Sequence, residues 1–477
     1  MATASPANRA IFCLADVAAA TSGALVRGDK LLPIEGVTTD SRSIGAQNLF
    51  VALVGESFDG HRFVAQAAAA GAAAAVVRRG FRSDAPLPEG FGLVEVDDTL
   101  VALGALARVH RRRFPQIKVG AITGSNGKTT TKELAAAVFN AAFGETLATV
   151  GNLNNEIGVP LTLFRLSPAH AAATVEMGMN HAGEIARLAA IAEPDAGLVT
   201  CAQLVHLEGL GSIEAVAKAK GELYHGLPRH AVAVTNLRDE RTTAEARASG
   251  RKLLTYGGPE HEGADVRLVR LVSHDRRGLA FEVSFRGGPA AFVRLPLVGV
   301  HNAENACAAL ALGLALGGDP DRMLEGLVTA RGFDRRLQIK QAPGGVTVVD
   351  DCYNANPSSM LAALRTAREL AGEGRVFAVL GDMFELGGEE AAGHREVGVA
   401  AAAAQVAGLV AFGQRSRAIA AAAAEGGVES ICTTESPEEA LAWLRSHLRD
   451  GDLVIAKASR GTRLERIVDP LVAGEKA

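Results

Sequence analysis

The sequence predicts an α/β protein with mainly parallel sheets, split into more than one folding unit. Three observations carry this. Short β-rich apolar runs alternate with helix-type patterns through most of the chain, as expected of a parallel sheet covered by helices. A glycine-rich turn, Gly124-Ser125-Asn126-Gly127, separates one such run from a helix pattern. The chain has 477 residues, too many for one ordinary domain and enough for two to four.

In chain order, the first unit (residues 1–113) has a strand at Leu49–Val54, a helix at Phe63–Ala75 and a strand at Ala75–Val77. Phe81–Gly90 contains two prolines and reads as a loop. The second unit (114–335) opens with the strand Ile117–Thr123, the glycine-rich turn and the helix Thr130–Phe143. Strands at Ala173–Glu176, Gly197–Thr200 and Ala231–Thr235 follow. Asp265–Ser273, Leu279–Phe285 and Ala291–Pro296 look antiparallel, with Arg276-Arg277-Gly278 and Gly287-Gly288 as turns. They suggest a small β extension ahead of the helix Ala303–Leu316. The third unit (336–477) returns to alternation, with buried strands at Val346–Val349, Val376–Leu380, Gly408–Phe412 and Leu453–Ile455.

The balance of 49 Lys+Arg against 53 Asp+Glu implies no basic face, which argues against nucleic acid as a partner. The cluster Arg111-Arg112-Arg113 reads as a solvated helix end. Five scattered cysteines without a C-x-x-C spacing argue against a disulfide framework and a structural zinc, and fit a reducing cytoplasm. The longest apolar run, Val397–Phe412, is interrupted by Gln405 and is shorter than the ~20 residues a membrane span needs.

The strongest local signal is Gly124-Ser125-Asn126-Gly127-Lys128-Thr129-Thr130 at a strand-to-helix junction. Glycines let the backbone curl so that its N–H groups face an anion, and the helix N-terminus adds partial positive charge. Lys128 is placed to reach β- and γ-phosphates, and the Thr129 hydroxyl to ligate Mg²⁺. Ile122 stands six residues before the lysine, where the usual phosphate-loop pattern has glycine, so a tighter loop is expected. Glu176 closes an apolar run at the end of a parallel strand, where α/β sheets bind ligands, and could complete a Mg²⁺ site. Taken alone, His206 reads as a structural histidine and Lys220 as an exposed helix lysine.

At this point the chain resembles the Mur ligases, the ATP-dependent amide-forming enzymes of peptidoglycan precursor synthesis. The resemblance runs in order through Thr123–Thr130, Gly151–Pro160, Glu176–Ile185, His206–Gly209 with Lys220, His301–Asn305, Asp351–Pro357 and Gly381–Gly387. It implies a three-domain Mur ligase architecture: an N-terminal UDP-sugar-binding domain, a central P-loop ATPase domain and a Rossmann-like C-terminal domain. It also implies a branch of the family, the one that joins D-alanyl-D-alanine to UDP-MurNAc-tripeptide. By this resemblance Gly124 to Thr130 would hold the ATP phosphates, and Asn302 and Asn305 would contact adenine. Arg336 would reach the phosphates, and Asp351 and Tyr353 the ribose and base. Thr129, Glu176, His206 and Lys220 would hold two Mg²⁺ ions, Lys220 as its carbamate. Lys128, Glu176, His206 and Lys220 would form the catalytic set. Asp40, Ser41, Arg42, Asn152 and Asn155 would bind the UDP-linked substrate, although Asp40-Ser41-Arg42 alone reads as a turn. A cytoplasmic monomer without nucleic-acid partners is expected.

Some positions depart from the family pattern. Thr200 stands where asparagine is usual, Ala458 replaces a glycine, and Leu210 and Phe384 are milder variants. The sister ligases that add the third amino acid carry a D-N-P-R-type motif, which is absent here. Folylpolyglutamate-type ligases lack a counterpart of the Asp40-Ser41-Arg42 region. A non-catalytic relative would be expected to lose the metal ligands.

Overall fold

The computed structural model describes residues 8, 10–55, 58–203 and 210–474. The first unit contains β1 (Ile11–Cys13), β2 (Ala24–Arg27), β3 (Pro33–Glu35), β4 (Val37–Thr38), β5 (Leu49–Val51), β6 (Ala74–Arg78) and β7 (Gly92–Val96). β1 and β3 form a small antiparallel ribbon, and the others form a sheet in the order β2-β7-β6-β5-β4. β4 to β7 pair in parallel, and β2 is antiparallel at the edge.

The central unit holds β8 (Lys118–Thr123), β9 (Thr146–Ala148), β10 (Ala172–Glu176), β11 (Ala196–Val199), β12 (Val232–Asn236), β13 (Lys252–Gly257), β14 (Val266–Asp275), β15 (Gly278–Phe285) and β16 (Ala290–Leu295). They make one sheet, β16-β15-β14-β13-β12-β11-β8-β10-β9. The antiparallel strands are therefore not a separate extension. β14 pairs in parallel with β13 through Tyr256 and Gly257, and so carries the main sheet into the β14–β15–β16 meander. Strand β13 has no clear alternating burial pattern and lies between β12 and β14, paired in parallel with both.

The third sheet joins β17 (Gln338–Ala342), β18 (Val346–Asp350), β19 (Val376–Gly381), β20 (Gly408–Phe412), β21 (Ile431–Thr434) and β22 (Leu453–Lys457) in the order β17-β18-β22-β19-β20-β21. All of its pairs are parallel except β17–β18 at the edge.

Boundaries move where backbone geometry overrides hydrophobicity. The helix expected over Phe63–Ala75 is a 3₁₀ turn, Gly60–Phe63, then a short α-helix, Val64–Ala69, stopped as Gly71 adopts φ +105°. The run Val397–Phe412 is a helix end, a turn with Gln405 at φ +51°, and β20. Among the described residues no helix is long and apolar enough to cross a membrane.

The core corrects one sequence reading. A single buried apolar cluster runs from Val37, Leu49, Leu103 and Leu106 of the first unit to Val119, Phe164 and Leu188 of the second. The helix Thr99–Arg112 carries it across, capped at its start by Asp98, which accepts from Leu100 N at 2.7 Å. Of Arg111, Arg112 and Arg113 at its end, Arg112 and Arg113 are exposed as expected, but Arg111 is not part of a solvated tip. Arg111 is 5% exposed and donates to Phe114 O (2.7 Å) and Ala192 O (3.3 Å), with Asp195 at 3.4 Å. Arg112 pairs with Glu193 (2.6 Å), and Arg113 lies 4.4 Å from the Phe12 ring. Charged residues at a helix C-terminus also suit the macrodipole, so the sequence does not distinguish a staple from a surface end. The third unit has its own apolar clusters on the two faces of its sheet.

Candidate functional site

The ends of β8, β10, β11 and β12 point into a cleft of about 1290 Å³ between the second and third units. Its floor is the loop between β8 and the helix Lys128–Phe143. Gly127 caps this helix at φ +79°, a left-handed conformation that glycine adopts without cost. A Cβ there would also lie 2.5 Å from Asn305 Oδ1. The Ser125 N–H is already engaged by Cys201 O (2.8 Å), and its hydroxyl accepts from Gln203 N (2.8 Å). Ser125 is thus a structural anchor of the loop, and the amides that can face an anion begin beyond it.

Lys128 folds back onto its own loop, donating to Gly124 O at 2.6 Å and Ser125 O at 3.3 Å. Burial lowers its ammonium pKa, the nearby Glu176 carboxylate opposes the shift and Arg336 adds to it. Thr129 accepts from Arg336 Nη2 at 2.8 Å. Thr130 lines the cleft beside it.

Glu176 is 2% exposed at the end of β10. Its Oε1 accepts from Asn154 Nδ2 at 2.8 Å, and its backbone N–H donates to Thr149 Oγ1 at 3.0 Å. Its Oε2 is buried without a hydrogen-bond partner. An orphaned carboxylate oxygen is costly to bury, and a bound cation would satisfy it. With the Thr129 hydroxyl nearby in the same cleft, this donor set fits a hard, oxygen-seeking ion. Among the described residues no three His, Cys, Asp or Glu side chains cluster closely enough to hold a metal on their own.

Lys220 is the opposite of the exposed lysine its helix pattern suggested. It is 1% exposed within the helix Ile213–Gly226. Burial pushes its pKa well below the ordinary lysine range, and the charge of Lys128 pushes the same way. His206 lies outside the described residues. Asn302 and Asn305 line the cleft, Asn302 donating to Val298 O (2.7 Å) and Asn305 to Asn302 Oδ1 (2.8 Å). His301 shares that wall, and burial lowers its pKa to about 4, leaving it neutral at pH 7.

The third unit supplies the facing wall. Asp351 accepts from Lys457 Nζ (2.7 Å) and from Leu337 N (3.2 Å). The Tyr353 ring is half-buried and packs under Arg336, whose guanidinium carbon is 4.3 Å from its centroid. The ring expected to meet adenine is thus already in contact with the arginine expected to meet phosphate. Asn152 and Asn155 line the same cleft, and Asn155 Oδ1 accepts from Gly158 N at 2.8 Å. Asp40, Ser41 and Arg42 sit apart, in a 3₁₀ turn of the first unit capped by Asp40, with Arg42 forked onto the Asp40 carboxylate (2.9 and 2.8 Å). Ala458 buries its methyl group in the third unit's core, beside Gly381.

Several residues escaped the sequence reading. Asn154 holds Glu176, Lys132 holds Thr149 through its carbonyl (2.8 Å), and Lys457 holds Asp351. Asn356 and Ser358, at the start of the helix Pro357–Ala371, meet the phosphate loop: Asn356 Nδ2 donates to Asn126 Oδ1 (2.7 Å), and Asn126 Nδ2 to Ser358 Oγ (2.9 Å). Asn154 and Asn356 lie inside the segments that carry the resemblance, so their positions were in view without a chemical reason to choose them.

Comparison with known proteins agrees with this architecture. The family model described as Mur ligase middle domain matches residues 122–313. The Mur ligase, glutamate ligase domain, matches 335–460, and the Mur ligase family, catalytic domain, matches 33–111. The UDP-N-acetylmuramoyl-tripeptide–D-alanyl-D-alanine ligase of Escherichia coli is 40% identical over 442 residues, 92% of this chain and 94% of that one. A crystal structure of MurF from Acinetobacter baumannii superposes with a TM-score of 0.86 at 33% identity, covering 97% of this chain and 99% of the other. MurF of Thermotoga maritima, solved in complex with ADP, gives a TM-score of 0.79 at 27% identity over 92% of this chain and 97% of the other. With these matches spanning almost its whole length, the chain belongs to the Mur ligase family.

Proposed function

We propose that this chain joins D-alanyl-D-alanine to UDP-N-acetylmuramoyl-tripeptide at the expense of ATP, giving the pentapeptide precursor of peptidoglycan. The observation that carries the reading is the cleft itself: a strand-to-helix phosphate loop with Lys128, Arg336 and the half-satisfied buried Glu176 around one space. The likeness to ligases of this activity at up to 40% identity supports the same reaction.

The tripeptide's terminal carboxylate attacks the γ-phosphorus, the bond to the β,γ-bridging oxygen breaks, and ADP leaves. The amine of D-alanyl-D-alanine then attacks the acyl phosphate carbon. The amine loses a proton and phosphate departs as the amide forms. Phosphoryl transfer depends mainly on positioning and charge neutralisation. Lys128 and the amides beyond Ser125 take the phosphate oxygens, for which Lys128 must leave Gly124 O and Ser125 O. Arg336 bridges the two units and adds a second positive charge. Thr129 and Glu176 are the residues that would hold Mg²⁺, which supplies charge neutralisation between carboxylate and polyphosphate.

We assign His206 and Lys220 to a second cation site. The depressed ammonium pKa of Lys220 supports carbamylation, since only the neutral amine adds to carbon dioxide and the product is an anionic oxygen donor. Asn302 and Asn305 are assigned to adenine, Asp351 and Tyr353 to the ribose and base, and Asp40, Ser41, Arg42, Asn152 and Asn155 to the UDP-linked substrate. We place the enzyme in the cytoplasm, as a monomer.

The test is a phosphate-release assay with ATP, Mg²⁺, UDP-MurNAc-tripeptide and D-alanyl-D-alanine. Release is expected only with all four. ATP hydrolysis indifferent to the dipeptide counts against the reading, and a single amino acid replacing the dipeptide points to the sister ligase instead.

A further inference from the structure

Thr200, the residue that departs from the family's asparagine, follows directly on β11 beneath the phosphate loop, and its side chain is turned into that loop. Its hydroxyl donates to Asn126 O at 2.6 Å. It sits in the notch left by Gly124, where a Cβ would come within 1.8 Å of the Thr200 Oγ1. Thr200 is itself held on every side. Its N–H donates to Thr123 O at 2.9 Å, and its carbonyl accepts from Asn236 Nδ2 at 3.1 Å and from the Tyr256 hydroxyl at 3.3 Å. At 5% exposed, it is a rigid post tied to β8, β12 and β13.

We infer that Thr200 is a positioning residue for the nucleotide: by holding the Asn126 carbonyl it sets the orientation of the next amide in the phosphate loop. The peptide unit is planar and trans, so the carbonyl of Asn126 and the N–H of Gly127 point in opposite directions. With the oxygen drawn down onto the Thr200 hydroxyl, the Gly127 N–H is turned away from β11, toward the open side of the loop. The Ser125 N–H, engaged by Cys201 O, fixes the Gly124–Ser125 unit in the same way, and the Thr200 hydroxyl fixes the Asn126–Gly127 unit nearer the helix. Glycine at 127 has little resistance of its own to rotation of that plane. A hydrogen bond from a fixed hydroxyl supplies the resistance and removes a cost of ordering from nucleotide binding.

This inference rests on the nucleotide-binding reading above, and the experiment separates the two. ADP binding to the full chain is measured by calorimetry with Mg²⁺ for the wild type, Thr200→Val and Thr200→Ser. Valine keeps the shape and removes the hydroxyl, whereas serine keeps the hydroxyl. Thr200→Val is expected to weaken ADP about fivefold, the size of one ordinary hydrogen bond, and Thr200→Ser to restore it. In turnover, KM for ATP is expected to rise with Thr200→Val while KM for D-alanyl-D-alanine stays unchanged. Where the valine variant fails to fold, Thr200→Ala takes its place. Wild-type affinity in the variant lacking the hydroxyl, or a serine variant as weak as that variant, overturns the inference alone. A wild type that binds no ADP overturns the ligase reading with it.

Discussion

The two joints of the molecule are built from different chemistry. The first and second units share one apolar cluster, stapled by the buried Arg111 and by His110, which is 1% exposed between Phe114 and Phe164. The second and third units meet mainly through polar groups, although Val298 of the second unit packs into the third unit's apolar cluster. Arg336 donates to Thr129, and the other polar groups lie at the two ends of one helix, Pro357–Ala371. Its start clasps Asn126 through Asn356 and Ser358. Its end is held by the β14–β15 hairpin, where His274 pairs with Glu369 (3.1 Å) and Arg276 donates to Leu370 O (3.4 Å) and Thr347 Oγ1 (3.0 Å). A shared apolar core can part only by exposing its area to water, so the first joint is fused. A polar contact exchanges hydrogen bonds with water at a small net cost, so the second joint can open and close around substrates.

Four measurements would break or sharpen this contrast. The largest effect is expected from Arg111→Ala, which removes a buried guanidinium that donates to the Ala192 and Phe114 carbonyls and reaches the part-exposed Asp195 carboxylate. A loss of about 3–5 kcal/mol in unfolding free energy is expected, with the first two units melting together. Separate melting of the first unit would show that the joint is not fused.

The next effect is pH-dependent. His110 titrates near 6.5 in the unfolded chain and at about 4 in the folded protein, because burial disfavours the charged ring. The unfolded state therefore takes up the proton first. Stability is unaffected by this group above about pH 6.5, falls as pH drops toward about 4, and levels off below that. The loss reaches about 3 kcal/mol. His110→Phe should flatten this part of a stability-versus-pH curve, and an unaltered slope would remove His110 from the account.

At the polar joint, Asn356→Ala with Ser358→Ala should lower kcat/KM for ATP about tenfold, equivalent to one or two net hydrogen bonds, while leaving the melting temperature nearly unchanged. A large loss of stability without a change in kinetics would make this joint structural like the first. The smallest effect is expected from Arg276→Ala, within about 1 kcal/mol and visible mainly as a lower melting temperature of the third unit.

Legibility followed the range of the interactions. The phosphate loop was readable because its chemistry is local: glycines, a lysine and a threonine at fixed offsets between a strand and a helix. The α/β class was readable for the same reason, since hydrophobic period reports each element separately. Arg111 and Lys220 were misread because a charged residue on a helix looks exposed until its neighbours are known. Two of the groups Arg111 meets, on Ala192 and Asp195, are more than 80 residues away in the chain. Asn154 and Thr149 act on Glu176 from a different strand connection, which no spacing rule predicts.

Composition, periodicity and local motif were thus enough for the kind of fold, the place of the phosphates and, through the order of its motifs, the family. Which carboxylate oxygen stands without a partner, which lysine is desolvated, which carbonyl Thr200 restrains and which joint is apolar were decided only when distant segments packed. Burial and hydrogen-bond partnership are properties of surroundings, and these surroundings are assembled from strands and helices that the chain order keeps far apart.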